Sequence, residues 1–216
     1  MAFKDRADAA RKLARALSAY RGQSPLVLAI PRGAVPMGKI IAEALGGELD
    51  VTLVHKLGAP GNPEFALGSV DETGLVYLNA EAKSMGLDPH YLEREKEAQL
   101  KVLQSRRKRY TPVRPPLDPS GRVVIVVDDG IATGATMIAA LRATRARHPA
   151  KLIAATAVAA PEAITKIEQE ADEVHCLETP EFFYAVGQFF ADFDQVTDER
   201  VIALLGATGG ASPDGQ

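Results

Sequence analysis

Short apolar runs alternate with amphipathic stretches along most of this 216-residue chain. Leu26–Ile30, Val51–His55, Val124–Val127, Leu152–Ala159 and Val174–Leu177 are rich in Val, Ile, Leu and Ala. Such runs are too short for helices and too continuous for half-exposed strands, so they read as strands buried on both faces. Between them, apolar positions spaced three and four apart predict helices at Asp5–Tyr20, Met37–Leu45, Thr136–His148 and Val196–Leu205. Gly46-Gly47 stops the second helix, and Pro161 opens another at a first turn, where proline is tolerated. Ala66–Asp71 and Leu75–Leu78 flank Glu72-Thr73-Gly74 and read as a hairpin, whereas Lys56–Pro63 reads as a Gly/Pro-rich loop. The β-α-β alternation predicts an α/β protein with a doubly wound, mainly parallel sheet.

One stretch breaks the alternation. Tyr91–Tyr110 predicts a helix of about 30 Å, followed by a linker through Pro112, Pro115, Pro116 and Pro119. Its second half is basic, with Lys101, Arg106, Arg107, Lys108, Arg109 and Arg114. Cations near a helix C-terminus are favoured by the macrodipole, so a solvated face is the preferred reading. The sharper alternative is a basic lip that attracts phosphates or RNA. Residues 1–206 are expected to form a single domain with a helical insertion at about 80–119, and 207–216 a disordered small-residue tail.

Composition narrows the class. The chain is 46% hydrophobic and 25% charged with a net charge of −3, which gives no general pull toward nucleic acid or membrane. Cys176 stands alone in an apolar run, which excludes an intrachain disulfide and favours a buried thiol. The N-terminal Met-Ala-Phe-Lys-Asp-Arg reads as the start of a charged amphipathic helix, unlike a signal peptide. No apolar run reaches the ~18 residues of a membrane span. A cytoplasmic location without membrane partners is expected.

The chemistry concentrates in Val124–Thr136, Val-Ile-Val-Val-Asp-Asp-Gly-Ile-Ala-Thr-Gly-Ala-Thr. Asp128 and Asp129 end a buried strand, where open α/β sheets place their ligand crevices. The small-residue loop after them runs into a helix N-terminus, and together these make an anion site. Carboxylates beside a phosphate cradle suit a ribose 5-phosphate. The segment closely resembles the 5-phosphoribosyl-1-pyrophosphate (PRPP) motif of the type I phosphoribosyltransferases, with Gly130 where Ile, Leu or Val is commoner. The resemblance implies that Asp128 and Asp129 hold the ribose hydroxyls. It assigns the 5-phosphate to Ala132, Thr133, Gly134, Ala135 and Thr136.

Pro31–Pro36 follows the first buried strand. In that family the corresponding loop binds pyrophosphate, which makes Arg32 and Gly33 the candidates here. Lys56, at the head of Lys-Leu-Gly-Ala-Pro-Gly-Asn-Pro-Glu, is the candidate for a second cation, carried on a lid loop that also contributes Glu64. Arg32 and Lys56 are therefore the expected catalytic residues. With these motifs the chain, from Phe3 to Leu205, is similar to uncharacterised bacterial phosphoribosyltransferases. The implied cofactor is Mg²⁺, touched indirectly by Asp128, Asp129 and Asp192.

Departures bear on the acceptor. Ala132 and Ala135 stand where 6-oxopurine enzymes carry an aspartate and a lysine, and the loop looks more like that of the adenine enzymes. A hood over the base is expected from 178–195 or from the helical insertion. Tyr184, Gly187 and Asp192 loosely resemble a 6-oxopurine hood, and Tyr184 and Val186 are the candidate acceptor contacts. The resemblance implies transfer of phosphoribose from PRPP to a small nitrogenous acceptor, with nucleic acid not expected as a partner; oligomeric state is not readable from the sequence, a homodimer being the commonest assembly of soluble proteins. The alternative is a non-catalytic regulator of the same fold that senses PRPP or nucleotides and binds RNA.

Overall fold

The computed structural model describes residues 2–79, 82, 84–113 and 115–207, apart from the side chains of 63–66. Five strands form one parallel sheet: β1 (Leu26–Ala29), β2 (Glu48–Val51), β6 (Val123–Asp128), β7 (Lys151–Val158) and β8 (Glu173–Glu178). Their spatial order is β2-β1-β6-β7-β8, every neighbouring pair parallel. Chain order runs outward from the middle in both directions, so the switch point lies between β1 and β6. Loops leaving the carboxyl ends of those two strands must diverge there, which opens a crevice.

Alternate residues of the buried strands feed two separate cores, as a period of two requires. Val27, Ala29, Ile125, Val127, Ile153 and Ala155 face a core built with α1 (Arg6–Ala16), α2 (Val35–Leu45) and the C-terminal α6 (Asp198–Gly206). Leu26, Leu28, Val124, Val126, Leu152 and Ala154 face the opposite core. That core is closed by α4 (Ala135–Arg145) and α5 (Pro161–Ile167). Both faces are covered, so these strands show no polar alternation.

The region between Val51 and Leu78 departs from expectation. Val51–His55 is not one strand. The main sheet ends at Val51, and β3 (Val54–Ala59) starts a second, antiparallel sheet with β4 (Asn62–Asp71) and β5 (Val76–Leu78). The supposed loop Lys56–Pro63 is thus mostly strand, with a tight turn at Pro60-Gly61. Glycine content suggested a loop because register shifts at Leu57/Gly58 and Gly58/Ala59 absorb the glycine as a bulge. The Glu72–Gly74 hairpin is as predicted, with Asp71 Oδ1 accepting from the backbone of Thr73 and Leu75 at 2.9 and 3.0 Å.

The long helix α3 (Pro89–Tyr110) is capped by Asp88, whose Oδ1 accepts from the His90 amide at 3.0 Å. Its basic end is neither a solvated face throughout nor a free lip. Arg107 is inside, bonded to Asp50 at 3.1 Å and to Glu72 at 2.5 Å. It also donates to the Val51 carbonyl at 2.9 Å, which fastens α3 to the end of β2. Arg109 pairs with Asp198 and Glu199 on α6. Arg114 and the tail from residue 208 onward lie outside the described residues. Among the described residues, no helix is long and apolar enough to cross a membrane.

Candidate functional site

A cleft of about 560 Å³ opens at the switch point. Its floor and one wall come from Ile30–Gly33 after β1, and from Asp128–Gly130 with Thr136 after β6. Its far wall is Val186 with Phe193–Val196. The 178–195 segment therefore covers the acid pair, whereas α3 packs on the β3–β4 hairpin and α6.

The two carboxylates have different surroundings. Asp128 Oδ1 accepts from the Asp129 amide at 2.9 Å. Burial and the adjacent Asp129 carboxylate push the Asp128 carboxyl well above the usual carboxylate range, opposed by that amide and by the charge of Arg6. Asp129 is nearly buried, and its Oδ2 accepts from Arg6 Nε at 2.8 Å. Arg6 also donates through Nη1 to the Asp194 carbonyl at 2.7 Å and lies 3.7 Å from the Phe193 ring centroid.

Two glycines make these approaches possible. A Cβ on Gly33 would lie 2.2 Å from Asp129 Oδ2, so the β1 loop touches the carboxylate directly. A Cβ on Gly130 would lie 2.3 Å from Val186 Cγ1. The branched residue commoner at position 130 has no room here, because Val186 of the cover fills its space.

The loop after the acids is tied down by Ile131. Its amide donates to the Val158 carbonyl at 2.8 Å, and its carbonyl accepts from Ala160 at 2.9 Å. This leaves Ala132 and Thr133 exposed ahead of α4 and Ala135 and Thr136 exposed in its first turn, with Gly134 in the left-handed region at φ 83° as its N-cap. An exposed small-residue turn leading into a helix N-terminus offers amides and a positive dipole end to an anion. The Pro31–Arg32 peptide is cis. The Arg32 side chain is partly exposed in the cleft, its Nη1 4.0 Å from Asp198 Oδ1.

The cleft thus brings together Arg32, Gly33, Asp128, Asp129, Thr136 and Val186 of the expected set. Its lining includes neither Ala132, Thr133, Gly134 and Ala135 of the expected phosphate loop, which reaches it only through Thr136, nor Lys56, which lies half-buried on β3 opposite Ser69 rather than on a lid loop. Glu64 lies among the undescribed side chains. Tyr184 is 85% exposed and lines no part of the cleft, so Val186 and Phe193 take the wall expected of it. Asp192 also lines no part of the cleft: its amide donates to the Lys4 carbonyl, and Asp194 is the acid at the cleft wall. Cys176 is half-buried away from the site, its thiol pushed up to about 11 by burial.

Arg6, Phe193 and Gln195 were not expected at the site. The amphipathic pattern of α1 gives Arg6 to solvent, and no spacing rule links it to an aspartate 123 positions away. Phe193 falls within the 178–195 span expected to form the hood, although Tyr184 and Val186 were the contacts expected from it.

The family model described as phosphoribosyl transferase domain matches residues 2–194. Two Mycobacterium tuberculosis proteins provisionally named phosphoribosyl transferases, from strains CDC 1551 and H37Rv, are each 40% identical over 204 residues. The match covers 94% of this chain but 46% of theirs, so the chain spans about half the length of these relatives. The crystal structure of TT1426 from Thermus thermophilus is 47% identical, with a TM-score of 0.89 over 97% of this chain and all of that one.

Proposed function

We propose that this chain, which belongs to the phosphoribosyl transferase domain family, transfers 5-phosphoribose from PRPP to a nitrogenous acceptor and releases pyrophosphate. The observation that carries the reading is the contact of Gly33 with the Asp129 carboxylate at the sheet's switch point. It sets a Pro-Arg-Gly turn against an acid pair, with a phosphate-type loop and helix N-terminus on the other side.

In this reading Asp128 and Asp129 accept hydrogen bonds from the ribose hydroxyls. Residues 132–136 hold the 5-phosphate through backbone amides and the Thr133 and Thr136 hydroxyls. Arg32 and the Gly33 backbone hold pyrophosphate, for which a planar guanidinium offers paired donors. Lys56 is left out of this set because β3 does not bring it to the cleft wall. Val186 and Phe193 cover the acceptor.

The ring carbon–pyrophosphate bond breaks as a bond forms from the acceptor nitrogen. The intervening centre is oxocarbenium-like, so placement and electrostatics matter more than a covalent nucleophile. Mg²⁺ fits the donor set: the described residues hold no cluster of three or more potential ligands, but Asp128 and Asp129 would face it through water, in keeping with an ion that uses one or two carboxylates beside phosphate oxygens and waters. When bound, it would offset charge on the departing pyrophosphate. Of the basic residues that favour the regulator alternative, Arg107 and Arg109 are engaged with acids of the fold.

Pyrophosphate release from Mg²⁺–PRPP, with a panel of purines, pyrimidines and other nitrogen acceptors, tests the proposal. Acceptor-dependent release is expected. Release at the no-acceptor rate with every acceptor, from protein that binds PRPP, would favour the sensor.

A further inference from the structure

The cover and the acid pair are joined by one side chain. The N-terminal segment runs alongside the cover: Phe3 pairs in parallel with Phe190, and its amide donates to the Phe189 carbonyl at 3.0 Å. The amides of Ala191 and Asp192 donate back to the carbonyls of Phe3 and Lys4, both at 2.9 Å. Phe3, Phe190 and Phe193 continue the contact as rings 5.3 and 4.9 Å apart. Residues 2–4 and 189–193 are therefore one packed unit, and α1 leaves directly from it. Asp5 caps that helix, its Oδ1 accepting from the Asp8 amide at 2.7 Å, which fixes the base of Arg6.

From this fixed base Arg6 reaches two partners at once. Nε binds the Asp129 carboxylate, Nη1 binds the Asp194 carbonyl, and the guanidinium plane lies on Phe193. Gly33 lies against the same oxygen, and a Cβ there would also come within 3.4 Å of Arg6 Nη2. The carboxylate oxygen that meets the pyrophosphate-type turn is thus the one held by a cation anchored in the cover.

We propose that Arg6 is a positioning residue that couples the cover of the cleft to Asp129, so that the place of the acceptor wall and the aim of the ribose-binding carboxylate are set together. This rests on the reading of Asp129 as a ribose contact. Filling the ribose site then orders the acceptor wall through Arg6. A lysine cannot substitute fully, since a single ammonium lacks the fork that spans carboxylate, carbonyl and ring together.

Hydrogen exchange by mass spectrometry on the full chain tests this, with wild type, Arg6→Met and Arg6→Lys, each free and with Mg²⁺–PRPP. PRPP is expected to slow exchange in both 131–136 and 189–195 of wild type. In Arg6→Met it should slow 131–136 only, with affinity lowered about ten- to hundredfold, the loss that one charge-assisted hydrogen bond represents. Arg6→Lys should recover part of the affinity without the protection of 189–195. Protection of 189–195 in Arg6→Met equal to wild type would overturn the coupling. If wild type binds no PRPP, the ribose reading falls, and the free proteins decide the link. Faster exchange of Arg6→Met in both 189–195 and 128–133 supports it, and an unchanged 128–133 overturns it.

Discussion

A single methyl group at position 33 should disable the site while leaving the sheet intact. In Gly33→Ala the new Cβ would lie 2.2 Å from Asp129 Oδ2 and 3.0 Å from its Cγ. Ordinary contact requires about 3.4 Å or more, so the carboxylate oxygen must retreat by about 1 Å. Its retreat breaks the 2.8 Å bond to Arg6 Nε, at a site where both side chains are only 13% exposed. Losing one hydrogen bond between charged groups costs about 1.5–3 kcal/mol. At about 2–4 °C per kcal/mol for a chain of this size, the melting temperature should fall by about 3–12 °C. On the proposed role of Asp129 as a ribose contact, affinity for Mg²⁺–PRPP, read by calorimetry, should fall about tenfold or more.

The double-mutant cycle separates this cause from general strain. With Asp129→Ala in place the obstructing carboxylate is gone, and adding Gly33→Ala should cost almost no further stability. Strongly non-additive melting losses are expected, as for groups in direct contact. Additive losses would refute the claim that the methyl acts through Asp129.

Other outcomes follow from the buried charges. Arg107→Ala leaves Asp50, 2% exposed, without its cation. Unfolding by denaturant should show a loss of about 3–5 kcal/mol, and a loss under about 1 kcal/mol would refute a structural role for the basic end of α3. Asp128→Asn should raise the melting temperature while abolishing PRPP binding. Because burial raises the folded-state pKa of Asp128, its favourable contribution is present at acid pH and is lost as pH rises through that value. The gain from Asn should therefore be largest at neutral pH and shrink on acidification. A gain independent of pH would show that the carboxylate's charge is not the cause.

What could be seen in the sequence was whatever depends on neighbours along the chain. Buried parallel strands expose nothing to water, so β1, β6 and β7 stand out as unbroken apolar runs. The acid pair and its loop are contiguous, and so is Pro31-Arg32-Gly33. The second sheet was harder because Gly58 and Gly61 have opposite jobs in one hairpin. Gly58 sits in a bulged strand and Gly61 in the turn, at φ 73°. Composition alone gives both to a loop, and so it placed Lys56 on a lid that is a strand.

The remaining misses concern the side of the cleft that the chain completes from a distance. Gly130 is the instructive case, because it looked like a small departure from a familiar loop. Across the fold, the missing side chain at 130 and the present one at 186 are a single packing decision, with no space for both. Arg6 and Asp129 are a second such pair, far apart in chain order and 2.8 Å apart in space. Both pairs join the cover to the acid-bearing loop, and neither is visible until the fold brings its halves together. A motif therefore locates the acid pair and its loop on one side of this cleft, while the cover on the other side is written in long-range compensations. It follows that acceptor choice should respond to residues 6, 130, 186 and 193 more than to the loop at 132–136, where contacts are mainly to backbone.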